Sequence, residues 1–170
     1  MIPDSDTEVV HWPTERRSEL RTVLEESFSG WYLRHALGKL KECETVLVVL
    51  ERKQPIGLVL LETLHEGTGY VFYIAVVPSS RKKGIGGLLL DHALEHFVSS
   101  GFKRVYAATE SENESALRLF YSKGFVRTNF VQVSKLYGFA HALELYRRMV
   151  VVPGEVLLVR ELPATHASPS

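Results

Sequence analysis

The chain has 170 residues, 45% hydrophobic and 24% charged, the balance of an ordinary globular domain long enough to bury a core. Its 20 Lys and Arg offset 20 Asp and Glu, so zero net charge gives no whole-chain signal for nucleic acid or an anionic membrane as partner. The one cysteine, Cys43, excludes an intrachain disulfide and a cysteine-cluster metal site, and apolar runs such as Val46 to Leu50 fall well below the roughly 18 residues of a membrane span.

Glu8 to Trp12 reads as a first strand, and Pro13-Thr14 opens a helical pattern with Leu20, Val23, Leu24 and Phe28 at helical spacing, broken at Gly30. Trp31 to Lys41 reads as a second helix. Val46 to Leu50 and Ile56 to Thr63 are predicted strands joined by a Lys53-Gln54-Pro55 turn into an antiparallel hairpin, and Tyr70 to Val77 is a third strong strand ended by Pro78. Gly84 to Ser99 is a helix with Ile85, Leu89, Ala93 and Phe97 one turn apart, stopped by Gly101 and followed by a strand from Lys103 to Thr109. Two strands flanking such a helix form a βαβ unit and run parallel. Ser111-x-x-Glu114 is a capping box for another helix, which Gly124 ends before a strand from Phe125. Ser134 to Met149 reads as one helix with Leu136, Ala140, Leu143 and Tyr146 on its apolar face, and Val156 to Leu162 as the final strand.

This order predicts an α/β (α+β) fold: a mixed, mostly antiparallel sheet around one βαβ unit, with helices on both faces. One domain spans residues 1–162, and the small polar stretch 163–170 is expected to be a disordered tail. Asp4, Asp6 and Glu8 stand where a secretory signal wants positive charge, so residence in the cytoplasm is expected.

The strand from Ile74 runs into a basic glycine turn, Arg81-Lys82-Lys83-Gly84-Ile85-Gly86-Gly87, that opens a helix. Glycine accepts positive φ and lets backbone amides converge on a phosphate. The helix start adds unpaired N–H groups and a dipole worth about 0.3–1 kcal/mol to an anion. Arg81, Lys82 and Lys83 supply mobile charge. No Gly-x-x-x-x-Gly-Lys-Ser/Thr string exists, and a dinucleotide fingerprint fails at Leu89, where its third glycine belongs.

Val76-x-Pro78-x-x-Arg81-x-x-Gly84-x-Gly86 resembles the acetyl-CoA motif of the GNAT superfamily of N-acetyltransferases. Asn113-x-x-Ala116-x-x-Leu119, followed by Lys123-Gly124-Phe125, is similar to the second motif of that family. The resemblance implies acetyl-CoA as donor, with no metal. It implies that Ile74, Ala75 and Val76 present backbone to the pantetheine arm, that Arg81 through Gly87 cradle the pyrophosphate, and that Asn113 hydrogen-bonds the arm. The acceptor would be a primary amine on a protein N-terminus, a lysine or a small molecule, and the protein a monomer or homodimer. A catalytically degenerate CoA-binding sensor or scaffold is the competing reading, and a nucleotide-binding protein a third.

Amide formation needs a neutral amine and an acid for the leaving thiolate. Many family members place a tyrosine acid seven residues after the asparagine, but that position is Phe120 here and Tyr121 is one further on. Seven helical residues return to within about 20° of the starting face, and eight land about 80° away. Tyr121 is therefore either the acid, through a local shift, or a packing partner of Leu117. A subgroup's base, five residues before the asparagine, is replaced by Ala108; Glu110, Glu62, His65 or an ordered water chain are the alternatives. Phe28, Trp31 and Tyr32, and later Tyr137, Phe139 and His141, are either core aromatics or acceptor-site walls. The stretch 134–149 is expected to lid the acceptor site or mediate dimerisation.

Overall fold

The computed structural model describes residues 7–65 and 67–164. In chain order β1 (Thr7–His11), a 3-10 helix (Thr14–Leu20), α1 (Arg21–Ser27) and α2 (Gly30–Glu42) precede β2 (Thr45–Glu51), β3 (Gln54–His65) and β4 (Thr68–Val76). Then come α3 (Ile85–Ser99), β5 (Arg104–Glu110), α4 (Glu114–Ser122), β6 (Val126–Thr128), α5 (Phe130–Tyr137), α6 (Phe139–Met149) and β7 (Glu155–Glu161). The strands hydrogen-bond in the order β1-β2-β3-β4-β5-β7-β6. This is the mixed, mostly antiparallel sheet expected from the sequence. No helix among the described residues is long and apolar enough to cross a membrane. Asp4, Asp6 and most of the expected tail, residues 165–170, lie outside the described residues.

The chain divides into two compact units, Met1–Glu62 with Phe72–Ala93, and Thr63–Val71 with Leu94–Ser170. In the first unit β1 and β3 flank β2 antiparallel, and Val46, Leu47, Val48 and Val49 are all buried. Such an unbroken apolar run belongs to a strand covered on both faces. The hairpin turn is Arg52-Lys53, not Lys53-Gln54-Pro55: Gln54 pairs with Glu51 and Pro55 with Leu50. Two residues suffice because both adopt left-handed backbone, at φ +50° and +66°, matching strand twist at a cost that Asn-Gly would not incur. The register shifts between Val49 and Leu50, and the Ile56 carbonyl accepts from the Val77 N–H at 3.0 Å. The buried Arg17 guanidinium donates to the carbonyls of Leu40 (3.2 Å) and Cys43 (2.7 Å), closing the C-terminal end of α2. Gly30 does not simply break the helical pattern; at φ +55° it starts α2.

In the second unit β4 and β5 run parallel from Thr68↔Arg104 to Val71↔Ala107, as the βαβ reading requires. β7 pairs antiparallel with β5 along its whole length and with β6 on its other edge. The cap of α4 is Asn113, whose Oδ1 accepts from the Ala116 N–H at 3.1 Å, rather than Ser111. Ser111 instead donates its backbone N–H to the Gly154 carbonyl. The last family-motif strand starts at Val126, one residue after Phe125.

Residues 134–149 are not one helix. Gly138, at φ +84°, separates α5 from α6, and the buried positions are Val133, Ala142, Leu145 and Met149. Leu136 of α5 is exposed, and so are Ala140 and Leu143 of α6, where the break at Gly138 rotates the second segment out of the register that a continuous helix would keep.

Replacing Lys53 with Gly should raise unfolding free energy by about 0.5–1 kcal/mol in urea denaturation, since glycine carries no penalty at positive φ. Gly69→Ala should do the reverse by about 1–3 kcal/mol. Its Cβ would lie 2.4 Å from Phe97 Cε1.

Candidate active site

The first unit carries the glycine turn. With Val77 tied to Ile56, Pro78–Ser80 makes a short 3-10 turn and the Ser80 N–H donates to the Val77 carbonyl at 2.9 Å. Lys82 at φ +59° and Gly84 at φ +81° then swing the chain into α3. The first bond into that helix is Leu88 N–H to the Gly84 carbonyl at 3.0 Å. The amides of Ile85, Gly86 and Gly87 precede it and have no partner within the helix. Arg81, Lys82, Lys83 and Gly84 are exposed, and the residues present are those an anionic phosphate group requires.

One detail corrects the sequence reading. Arg81 is not a mobile charge: its Nε donates to the Val76 carbonyl at 2.9 Å and its Nη2 reaches the Glu26 carbonyl at 3.5 Å. The Val76 carbonyl, also 3.4 Å from Ser27 Oγ, is thus engaged within the protein. Lys82 and Lys83 are left as the projecting cations of the turn.

Close packing sets the start of α3 on the strands. A Cβ on Gly57 would lie 3.0 Å from the Ala75 carbonyl oxygen and 3.2 Å from both Ile85 Cγ2 and Leu89 Cδ1. Glycine at 57 is therefore what lets β3, β4 and the first turn of α3 approach this closely.

The same unit gathers the early aromatics. Phe28 meets Tyr73 edge-on at 5.1 Å between centroids, and Trp31 meets Tyr32 at 5.2 Å. His35, one turn after Trp31, stacks on that indole at 4.9 Å and 11°. His35 Nδ1 and the Tyr73 hydroxyl are 2.8 Å apart, and Phe72 edges the imidazole at 5.9 Å. The sequence alone does not single out His35 and Tyr73; the spacing Trp31-x-x-x-His35 and the position of Tyr73 just before Ile74 are the only signals it carries for them. Burial, with help from the Lys39 ammonium, holds the His35 imidazole below its ordinary range, against an opposing pull from Glu42. Glu62, a sequence candidate for the base, is 3.7 Å from Lys39 Nζ.

The second unit carries Asn113, Phe120, Tyr121 and Glu110. Asn113 spends Oδ1 on its cap, which leaves the amide nitrogen as its donor. Phe120 is a core residue, 6% exposed and edge-on to Phe125 at 5.1 Å. Tyr121 is 41% exposed, and its oxygen accepts from Arg127 Nε at 2.6 Å, so its own proton remains to be donated. Glu110 is exposed at the end of β5, opposite Glu155. His65 lies against His141 at 4.4 Å between centroids. Tyr137 is tied by its hydroxyl to Arg104 at 2.6 Å, while Phe139 is 69% exposed. No group of three or more His, Cys, Asp or Glu among the described residues could hold a metal ion.

The family model described as Acetyltransferase (GNAT) family matches residues 8–125. The chain belongs to this family. It is 29% identical over 109 residues to the probable N-acetyltransferase HLS1-like of Arabidopsis thaliana, a match covering 62% of this chain and 26% of that protein. It is also 29% identical over 108 residues to N-alpha-acetyltransferase 30 of Schizosaccharomyces pombe, covering 61% of this chain and 71% of that one. The matches span only about a quarter of the two Arabidopsis relatives' own length, 26% and 23%. Among solved structures, PaiA N-acetyltransferase from Thermoplasma acidophilum, in complex with coenzyme A, shares the fold at a TM-score of 0.68 and 14% identity, over 91% of this chain and 98% of that one.

Gly57→Ala should weaken acetyl-CoA binding about tenfold in calorimetric titration, with the fold kept by circular dichroism. The added methyl meets backbone at Ala75 and must displace the start of α3.

Proposed function

We propose that this chain transfers an acetyl group from acetyl-CoA directly to a primary amine. The carrying observation is the turn Arg81 to Gly87, exposed from Arg81 to Gly84, where left-handed Lys82 and Gly84 lead into three helix-start amides beside two lysines in a chain whose family is acetyltransferases. Acetyl-CoA supplies the thioester; the turn binds its pyrophosphate, and the backbone of Ile74 and Ala75 in the same unit is the further donor contact. The coenzyme A bound by the PaiA neighbour supports this choice of donor.

Tyr121 is the proposed acid. It has an exposed hydroxyl already accepting from Arg127, and Phe120 has no proton to give. Glu110, exposed at the end of β5, is the carboxylate candidate for base. A protein N-terminus, which carries an α-amine of the kind in the fission-yeast relative's name, N-alpha-acetyltransferase 30, is the easier acceptor. Its α-amine at 7.7–8.0 costs only about 1 kcal/mol to deprotonate at pH 7, against roughly 4–5 for lysine. Cys43 is buried and its thiol is pushed up to about 11, so it offers no competing acyl carrier.

Thiol release from acetyl-CoA, measured over peptides with free N-termini, lysine peptides and small amines, tests the reading. Turnover with at least one class is expected, and Tyr121→Phe should lower kcat about a hundredfold with donor affinity unchanged. Binding without turnover over all three classes would instead favour the sensor or scaffold, and full activity in Tyr121→Phe would remove that residue from the acid role.

A further inference from the structure

Resting on the acetyl-transfer reading, we propose that the hydrogen-bonded pair Tyr73–His35 takes the proton from the acceptor ammonium before attack. Tyr73 stands immediately before Ile74 on the strand assigned to the donor arm, and its hydroxyl meets His35 Nδ1 at 2.8 Å. Rings surround the pair: Phe28 edge-on to Tyr73, Phe72 edge-on to His35, and Trp31, 42% exposed, stacked on the imidazole. Aromatic faces attract cations, and this nest already holds one, since Lys39 Nζ sits 4.6 Å from the Phe72 centroid. A primary ammonium entering beside Trp31 meets the same kind of surface.

A neutral imidazole is the state such a pair needs. The charged and titratable groups around His35 are Tyr73 on β4 and Lys39 and Glu42 on α2, with Glu62 of β3 reaching Lys39 at 3.7 Å. Arg17, from the 3-10 helix, is spent on the carbonyls at the end of α2. Lys39 and burial together outweigh Glu42 and so favour the uncharged ring, and in its Nε2–H tautomer Nδ1 accepts from the phenol 2.8 Å away.

The proton count closes. The ammonium gives one proton to the Tyr73 oxygen as the Tyr73 proton passes to His35 Nδ1; the imidazolium then loses its Nε2 proton to water, and tautomer exchange through solvent restores the Nδ1 lone pair for the next turnover. The freed lone pair forms the N–C bond to the acyl carbon, the C–S bond breaks, and the second amine proton ends on the thiolate. One amide, one thiol and one solvent proton result.

The test is the pH profile of kcat/KM for amine acetylation, with acetyl-CoA affinity measured in parallel. Wild type should gain activity through a group titrating below the ordinary imidazole value. His35→Gln should lose that limb and fall about a hundredfold, and Tyr73→Phe should fall at least tenfold, both with wild-type acetyl-CoA affinity. Added imidazole should restore part of the activity of His35→Ala, which a merely structural histidine would not allow. Wild-type rates and an unchanged acid limb in both His35→Gln and Tyr73→Phe overturn this assignment alone. A wild type that binds acetyl-CoA but acetylates no amine overturns the functional reading and this one with it.

Discussion

The junction at which β4 ends and α3 begins is the constraint on which the proposed donor-binding turn depends. Its position is held by three contacts: Val77 N–H on the Ile56 carbonyl, Arg81 Nε on the Val76 carbonyl, and the close approach permitted at Gly57. None of these is itself a phosphate contact. They fix the strand end so that two left-handed residues, Lys82 and Gly84, can aim the first amides of α3 outward. A preorganised turn of this kind binds an anion without ordering a loop, and the saving in entropy is of the order of a kcal/mol for each residue that is already fixed.

That arrangement divides labour among the basic residues. Arg81 has a planar fork suited to carbonyls and serves as a tie, whereas Lys82 and Lys83 remain point charges. The reverse division would leave the Val76 carbonyl without its charged donor and the turn without its anchor. In the other unit Asn113 shows the same economy, with one amide atom capping α4 and the other left as a donor.

In the proposed transfer to an α-amine a modest base is enough. At pH 7 an imidazole held neutral by burial and by Lys39 is matched to an α-amine, whose deprotonation costs about 1 kcal/mol, far better than to a lysine. Efficient proton transfer favours a base with a pKa near the working pH, and a hydrogen-bonded phenol extends its reach by one hydroxyl. The aromatic surroundings serve both ends of that step, attracting the ammonium and disfavouring a second charge.

The sequence by itself determined most of the order of elements, the parallel β4–β5 pairing and the glycine turn that opens α3, because these depend on local periodicity, on backbone freedom at glycine and on short motif spacing. It misplaced features decided by a single residue's backbone: the Arg52-Lys53 turn, the break at Gly138 and the cap at Asn113 rather than Ser111. Only tertiary structure decided that Arg81 is a tie, that Phe120 is core while Tyr121 is bound by Arg127, and that His35 reaches Tyr73 across 38 residues. The physical reason is common to all three. Residue type states what a side chain can donate or accept, but its partner is set by which distant elements pack against it, and burial then fixes whether it carries charge.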